Sequence, residues 1–230
     1  MKKLILLSIL LVVGCDTKVC DFFLGNICES DESEVSADTE AVEDACLDKF
    51  CLPLDNYVAR WHFANTNSDE GWYHTAEDAY DAAGTPVYAI YDGYISYSDY
   101  AGGYGGLIII DHSEPRIYSL YGHTSLSRWY KKSGYVKKGE IIGYLGDSDE
   151  ICGNIPALGG YVECEPHLHF GIRNGNKGDY CSGTYGDPCE GDGPLGDRDN
   201  RWSAGYTTVD PLTLGWHDPS NFINEQNQSN

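Results

Sequence analysis

The sequence predicts a mainly β domain folded around antiparallel sheet. Three observations carry that expectation: short runs rich in Val, Ile and Tyr, glycine turns between them at antiparallel-sheet spacing, and no window with a sustained amphipathic helical period. Residues 56–216 hold these runs and are long enough for one domain with a real core.

Taken in order, the first run is 86–91, Pro-Val-Tyr-Ala-Ile-Tyr, entered from Gly84 and closed by Asp92-Gly93. Run 94–97, Tyr-Ile-Ser-Tyr, follows, and the glycine pairs 102–103 and 105–106 separate it from the wholly apolar run 107–110. Residues 116–121 form the next, and Lys138-Gly139 introduces 140–145. Many of the 18 tyrosines fall in these runs, where an aromatic ring suits a pleated, half-buried surface; they read as packing residues. The last run is His167-Leu168-His169-Phe170. Residues two apart on a strand share a face, so both imidazoles point one way while Leu168 and Phe170 enter a packed face.

The chain opens with Lys2 and Lys3, an apolar run through Val13, then Gly14 and Cys15. That run is shorter than the about 20 residues of a membrane-spanning helix and fits the apolar part of an export signal over residues 1–14. Its end, Leu-Val-Val-Gly-Cys, resembles the lipobox of bacterial lipoproteins, which implies cleavage before Cys15 and a lipid anchor on it. The expected location is the cell envelope. Asp16 resembles an inner-membrane retention signal, which leaves the membrane leaflet open.

Formal charge is −21, and removing residues 1–14 leaves 13 basic against 36 acidic residues, or −23. Such an excess repels nucleic-acid phosphates, so no nucleic-acid partner is expected. Nine cysteines in an exported chain point to an oxidising compartment, and setting Cys15 aside leaves an even number. Nearest-neighbour pairing is the simplest scheme: Cys20 with Cys28, Cys46 with Cys51, Cys152 with Cys164, and Cys181 with Cys189. No Cys-x-x-Cys pair occurs to favour a structural zinc cluster.

Residues 15–55 are expected to be a cysteine-containing tether. Its acidic stretch 29–45 is too poor in apolar residues to offset its ordering entropy, so it reads as a disordered spacer. Residues 217–230 read as a C-terminal tail. Within the domain, 147–165 and 171–205 are long cysteine-bearing loops, the first expected to wall the active-site groove. Asp187, Asp192, Asp197 and Asp199 do not match a helix-loop-helix calcium signature and read as solvated.

The candidate chemistry lies in five residues. His74 and Asp78 can converge from one helical turn or from a curved loop, and alone they would be only a hydrogen-bonded pair. Added to one histidine of His167-Leu168-His169, they supply two imidazoles and a carboxylate, a zinc ligand set with one position left open. His123, in Tyr-Gly-His-Thr, sits at a strand end, where Gly122 lets the backbone approach closely. It is a candidate for proton transfer or oxyanion stabilisation. His62, His112 and His217 read as surface or packing residues.

In order along the chain stand His-x-x-x-Asp, Gly-Thr-Pro-Val-Tyr-Ala, Tyr-Gly-Gly, Tyr-x-His, Val-Lys-Lys-Gly-Glu-Ile-Ile-Gly, Gly-Asp-Ser and Pro-His-Leu-His-Phe. This set resembles the LytM/lysostaphin family of zinc endopeptidases over residues 72–173, with a weaker echo at 209–212. The resemblance implies an antiparallel β domain of the duplicated hybrid motif type, one Zn2+ held by His74, Asp78 and His169, and catalytic roles for His123 and His167. It leaves the general base open between those two. The implied partner is bacterial peptidoglycan, cut in its cross-links or stems by an envelope-tethered enzyme expected to be a monomer. Ala76 and Gly171 depart from the family's usual Gly and Glu without removing a ligand. Two alternatives stay open: a non-enzymatic regulator of cell-wall amidases, and a zinc protease acting on glycine-rich secreted proteins.

Overall fold

The computed structural model describes residues 46–66, 71–151, 154–155, 160–161, 164–181 and 198–229. The chain divides into Met1–Ala37 and Asp38–Asn230. The expected export signal, Cys15, the Cys20–Cys28 pair, the acidic stretch 29–45, Cys152, Cys189, Asp187, Asp192 and Asp197 all lie outside the described residues.

In chain order the strands are β1 (Ala59–Trp61), β2 (Tyr73–His74), β3 (Glu77–Tyr80), β4 (Pro86–Tyr88), β5 (Gly93–Ala101), β6 (Gly105–Ser113), β7 (Arg116–Thr124), β8 (Gly134–Val136), β9 (Ile141–Tyr144), β10 (Asn154–Ile155), β11 (Gly160–Tyr161), β12 (His167–Asn174), β13 (Tyr206–Thr207) and β14 (Trp216–His217). Two α-helices accompany them, α1 (Ser148–Ile151) and α2 (Pro219–Gln228). The main sheet is antiparallel with strand order β1-β3-β12-β7-β6-β5-β8, and β14 also pairs with β12. The fold is mainly β and antiparallel, as the sequence predicts.

Strand β6 explains the apolar run 107–110. Ile108 and Ile110 join one core with Leu168, Phe170 and Ile172 of β12, while Leu107 and Ile109 join a second with Tyr118, Leu120, Trp202 and Trp216. A central strand covered on both faces needs apolar residues at every position. The alternation in β12 follows the same rule, with Leu168 and Phe170 fully buried in the first core and His167 and His169 on the opposite face.

The domain is wider than the expected 56–216. Phe50 and Leu54, placed by sequence in the tether, are 1% exposed and belong to the first core. Residues 217–230 are no loose tail either, because α2 carries Phe222 and Ile223 into that core. Only two adjacent apolar residues mark this helix, too few for a visible period. Its start is legible nonetheless: Asp218 caps the Asn221 N–H at 2.9 Å and Pro219 occupies the first turn.

Cys46 and Cys51 form the expected disulfide. Cys164 and Cys181 are also disulfide-bonded, and their expected partners lie outside the described residues. Asp199 is not merely solvated, since its carboxylate accepts from the Thr208 N–H at 2.8 Å and hydroxyl at 2.6 Å.

Candidate metal centre and active site

Pairing register assembles the site. On β12, His169 lies opposite Asp78 of β3 on one side and Gly122 of β7 on the other. His74 ends β2 four residues before Asp78, and the chain turns between β2 and β3. Of the two local geometries open to this pair, the curved loop is the one adopted, and no helix is involved. Gly122 is required where it stands: a Cβ there would lie 2.4 Å from the Tyr104 ring and 3.2 Å from His169 Cβ.

Three polar atoms converge. His74 Nε2, Asp78 Oδ1 and His169 Nδ1 are separated by 3.1 Å, 3.0 Å and 3.3 Å, and all three residues are buried. His74 Nδ1 faces the His62 carbonyl at 3.3 Å, so it carries the proton and leaves Nε2 with a lone pair. Burial drives the His169 imidazole below its ordinary pKa although Asp78 opposes this. Burial opposes ionisation of Asp78, but its partnership with His169 and His74 prevails and the carboxyl lies well below the usual range. His169 Nε2 is buried without a hydrogen-bond partner among the described residues.

A tetrahedral ion held at about 2.0–2.1 Å spaces its ligands about 3.3–3.4 Å apart. The observed triangle is within a few tenths of an ångström of that edge, and a carboxylate with two neutral imidazoles is a suitable donor set. The residues present therefore fit a zinc-sized divalent cation, and among the described residues this is the one such cluster.

Two further histidines stand beside the triangle. His123 and His167 have ring centroids 4.5 Å apart. His123 Nδ1 donates to the Tyr104 carbonyl at 3.0 Å and His167 Nδ1 to the Glu165 carbonyl at 2.8 Å, which leaves each Nε2 able to accept a proton. His167 Nε2 is 3.9 Å from Asp78 Oδ2, and the Tyr80 ring stacks on His167 at 4.9 Å. Burial, and then the neighbouring His167 and His169, push His123 down to about 3. Its backbone has φ of 64°, a left-handed conformation that costs a non-glycine residue about 1–3 kcal/mol and persists only when its surroundings enforce it.

His74 is buried against Asp78 and His169, and the other four predicted residues, Asp78, His123, His167 and His169, line one cleft of about 290 Å³. Its walls are unexpected. They come from Gly102 to Tyr104 and from a strap that includes Arg201 and residues 203–206, whereas none of the described part of 147–165 lines it. Arg173, fully buried, fixes the strap by donating to the carbonyls of Arg201 at 3.0 Å, Asp199 at 3.3 Å and Leu214 at 3.0 Å. Thr75 Oγ1 adds a bond to the Ala204 carbonyl at 2.6 Å. Tyr206 pairs with His74 in register, and burial, then Asp78, pushes its phenol up to about 12. Sequence reasoning missed this wall, because a Gly- and Asp-rich insertion carries no periodicity that says where it returns. Gly171 has a local cause: a Cβ there would stand 3.1 Å from Trp216, whose ring fills that space.

A buried carboxylate between two imidazoles, flanked by two further histidines with free ring nitrogens, is the kind of site that metal-assisted hydrolases use. Residues 73–181 match Peptidase family M23. Over 100 residues it is 35% identical to the DD-carboxypeptidase/endopeptidase Mpg of Neisseria meningitidis serogroup B and to that of Neisseria gonorrhoeae. Each match covers 44% of this chain and 20% of the relative, so the chain spans about a fifth of the length of the curated relatives it matches. Among solved structures, the catalytic domain of lysostaphin from Staphylococcus simulans is 22% identical, with 74% of this chain and 94% of that chain covered and a TM-score of 0.46.

Proposed function

We propose that this domain is a zinc-dependent endopeptidase that hydrolyses peptide bonds in the cross-links or stems of bacterial peptidoglycan. The observation that carries the reading is the triangle of His74 Nε2, Asp78 Oδ1 and His169 Nδ1 beside two histidines that line the same cleft. The match to the M23 family and the names of the Neisseria relatives support the peptide and cell-wall chemistry.

His74, Asp78 and His169 would hold the ion, which when bound supplies Lewis acidity to the scissile carbonyl and to a water. The chain's own residues handle the proton. His167 Nε2 accepts it from the attacking water, and Asp78 Oδ2, at 3.9 Å, favours the imidazolium that results. The same proton passes to the amine nitrogen as the peptide C–N bond breaks. His123, kept neutral by burial, accepts a hydrogen bond at Nε2 and orients the water. All five side chains are present, four of them lining one cleft and His74 buried beside Asp78 and His169, which favours an enzyme over a ligand-deficient regulator.

We extend the reading to export and lipid anchoring at Cys15, supported by the sequence of residues 1–15. No helix among the described residues is long and apolar enough to cross a membrane.

The test is digestion of purified peptidoglycan with mass spectrometry of the released muropeptides, alongside metal analysis. One zinc per chain and new peptide termini that disappear on chelation are expected. Hydrolysis that persists after the metal is removed would overturn the mechanism, and cleavage of glycine-rich protein without muropeptide release would overturn the substrate. Anchoring is read separately, as incorporation of labelled fatty acid that Cys15→Ser abolishes.

A further inference from the structure

The left-handed backbone of His123 needs a restraint, and the structure contains one that lies outside the cleft. The His123 carbonyl accepts from the Gly146 N–H at 2.9 Å. Both chain segments flanking that bond converge on the carboxylate of Glu150, in the short helix α1. Oε1 accepts from the Ser125 hydroxyl at 2.9 Å, the Leu126 N–H at 3.1 Å and the Ser127 N–H at 2.9 Å. Oε2 accepts from the Asp147 N–H at 3.3 Å, and Asp147 Oδ1 in turn accepts from the Glu150 N–H at 3.0 Å, a reciprocal helix cap.

Gly146 is pressed between the two. A Cβ there would lie 3.2 Å from the His123 carbonyl oxygen, 3.3 Å from Glu150 Cβ and 3.4 Å from Glu150 Oε2. The Glu150 backbone is equally close on its other side, since a Cβ on Gly105 would stand 2.3 Å from its carbonyl oxygen. Burial works against ionisation of Glu150, yet the bonds from Ser127, Ser125 and Asp147 hold its carboxyl below the ordinary range. It is a charged acceptor for several donors at once, the stronger kind of hydrogen bond.

We propose that Glu150 is a positioning residue for His123: its carboxylate ties residues 125–127 to residue 147 and so holds His123 in the left-handed turn that aims Nε2 into the cleft. Glu150 does not line the cleft and touches no reacting atom. Its importance for turnover rests on the role given to His123 above.

The experiment compares wild type, Glu150→Ala and Glu150→Gln as metal-loaded full chains, reading kcat and KM on a soluble cross-linked muropeptide, zinc per chain, and the ring-nitrogen NMR signals of His123. Glu150→Ala is expected to lower kcat about 10- to 100-fold, the scale of a displaced catalytic group, with KM and zinc content unchanged. It is also expected to shift or broaden the His123 ring signals. Glu150→Gln keeps an amide oxygen for the donors from 125–127 and is expected to restore most of kcat. Wild-type kcat and wild-type His123 signals in Glu150→Ala would overturn the proposal, as would a loss that Glu150→Gln does not recover. An inactive wild type would count against the endopeptidase reading alone, because the His123 signals test the restraint without turnover. If Glu150→Ala does not fold, Glu150→Asp, which withdraws the oxygens by one methylene, is read in the same way.

Discussion

Two groups of buried histidine share one domain, His112 near the end of β6 and the His74–Asp78–His169 cluster at β2, β3 and β12, and they differ in how their ring nitrogens are partnered. His112 is 1% exposed, and burial lowers its pKa to about 4, so it is neutral. Its Nδ1 donates to the Asp92 carbonyl at 2.8 Å, and Nε2 faces Ser119 Oγ at 2.8 Å. The serine hydroxyl must then donate to His112, the Tyr121 phenol 3.0 Å away to the serine, and the Ile90 N–H to the phenol oxygen at 3.0 Å. Every lone pair in that chain meets a proton. In the other cluster two ring nitrogens and a carboxylate oxygen crowd within 3.3 Å of one another, and a buried Nε2 is left over. A buried histidine satisfied by the chain is structural, whereas one grouped with a second imidazole and a carboxylate at ligand spacing is suited to a cation.

The contrast breaks first at the ligands. Asp78→Ala or His169→Ala is expected to lower peptide hydrolysis about a thousandfold or more and to release zinc, since several kcal/mol of carbonyl polarisation are lost. Metal analysis beside the assay checks both. Retained zinc with full activity would place the cluster in the same class as His112.

His167→Ala tests the next largest effect. It is expected to cost about 10²- to 10³-fold in kcat while zinc stays bound, because a proton acceptor is removed and no ligand is. Loss of zinc in this variant would mean that His167 belongs to the coordinating group.

His112→Ala should move stability instead of chemistry. It strands the Ser119 hydroxyl and the Asp92 carbonyl and opens a cavity, for an expected loss of about 3–4 kcal/mol in urea unfolding. The folded fraction should retain its kcat, and a large fall in kcat would erase the distinction between the two groups.

The smallest expected effect is the pH dependence of that stability. An unfolded histidine protonates near pH 6.5, while folded His112 resists down to about 4. Between those values the unfolded state binds the additional proton, so the contribution is complete above pH 6.5 and is lost as pH falls toward 4. At most it amounts to roughly 3 kcal/mol. Urea midpoints of wild type should fall more steeply over this window than those of His112→Ala, and parallel curves would remove the assignment.

Much of this was legible in advance where a pattern is local. The apolar run 107–110 announced a strand, and His-Leu-His-Phe announced two imidazoles on one face with two core residues behind. His112 was read as surface or packing, and packing is what it does, but nothing adjacent to it reveals Ser119 or Tyr121. The strap over the cleft was hidden for another reason: Arg173 fixes it through carbonyls, which every residue possesses and no sequence pattern marks. For Glu150 a signal did exist. Asp147-Ser148-Asp149-Glu150 has the spacing of a helix cap, although the cap alone does not predict that the same carboxylate gathers residues 125–127.

By itself the sequence determined which side chains could bind a cation and move a proton, because ligand type and strand alternation are properties of residues and their near neighbours. Only the tertiary structure decided that Asp78 stands opposite His169, that the strap containing Tyr206 and Arg201 closes the cleft, and that His123 is held left-handed. Those outcomes depend on pairing register and on hydrogen bonds between residues far apart in the chain, and both are settled only when the sheet packs.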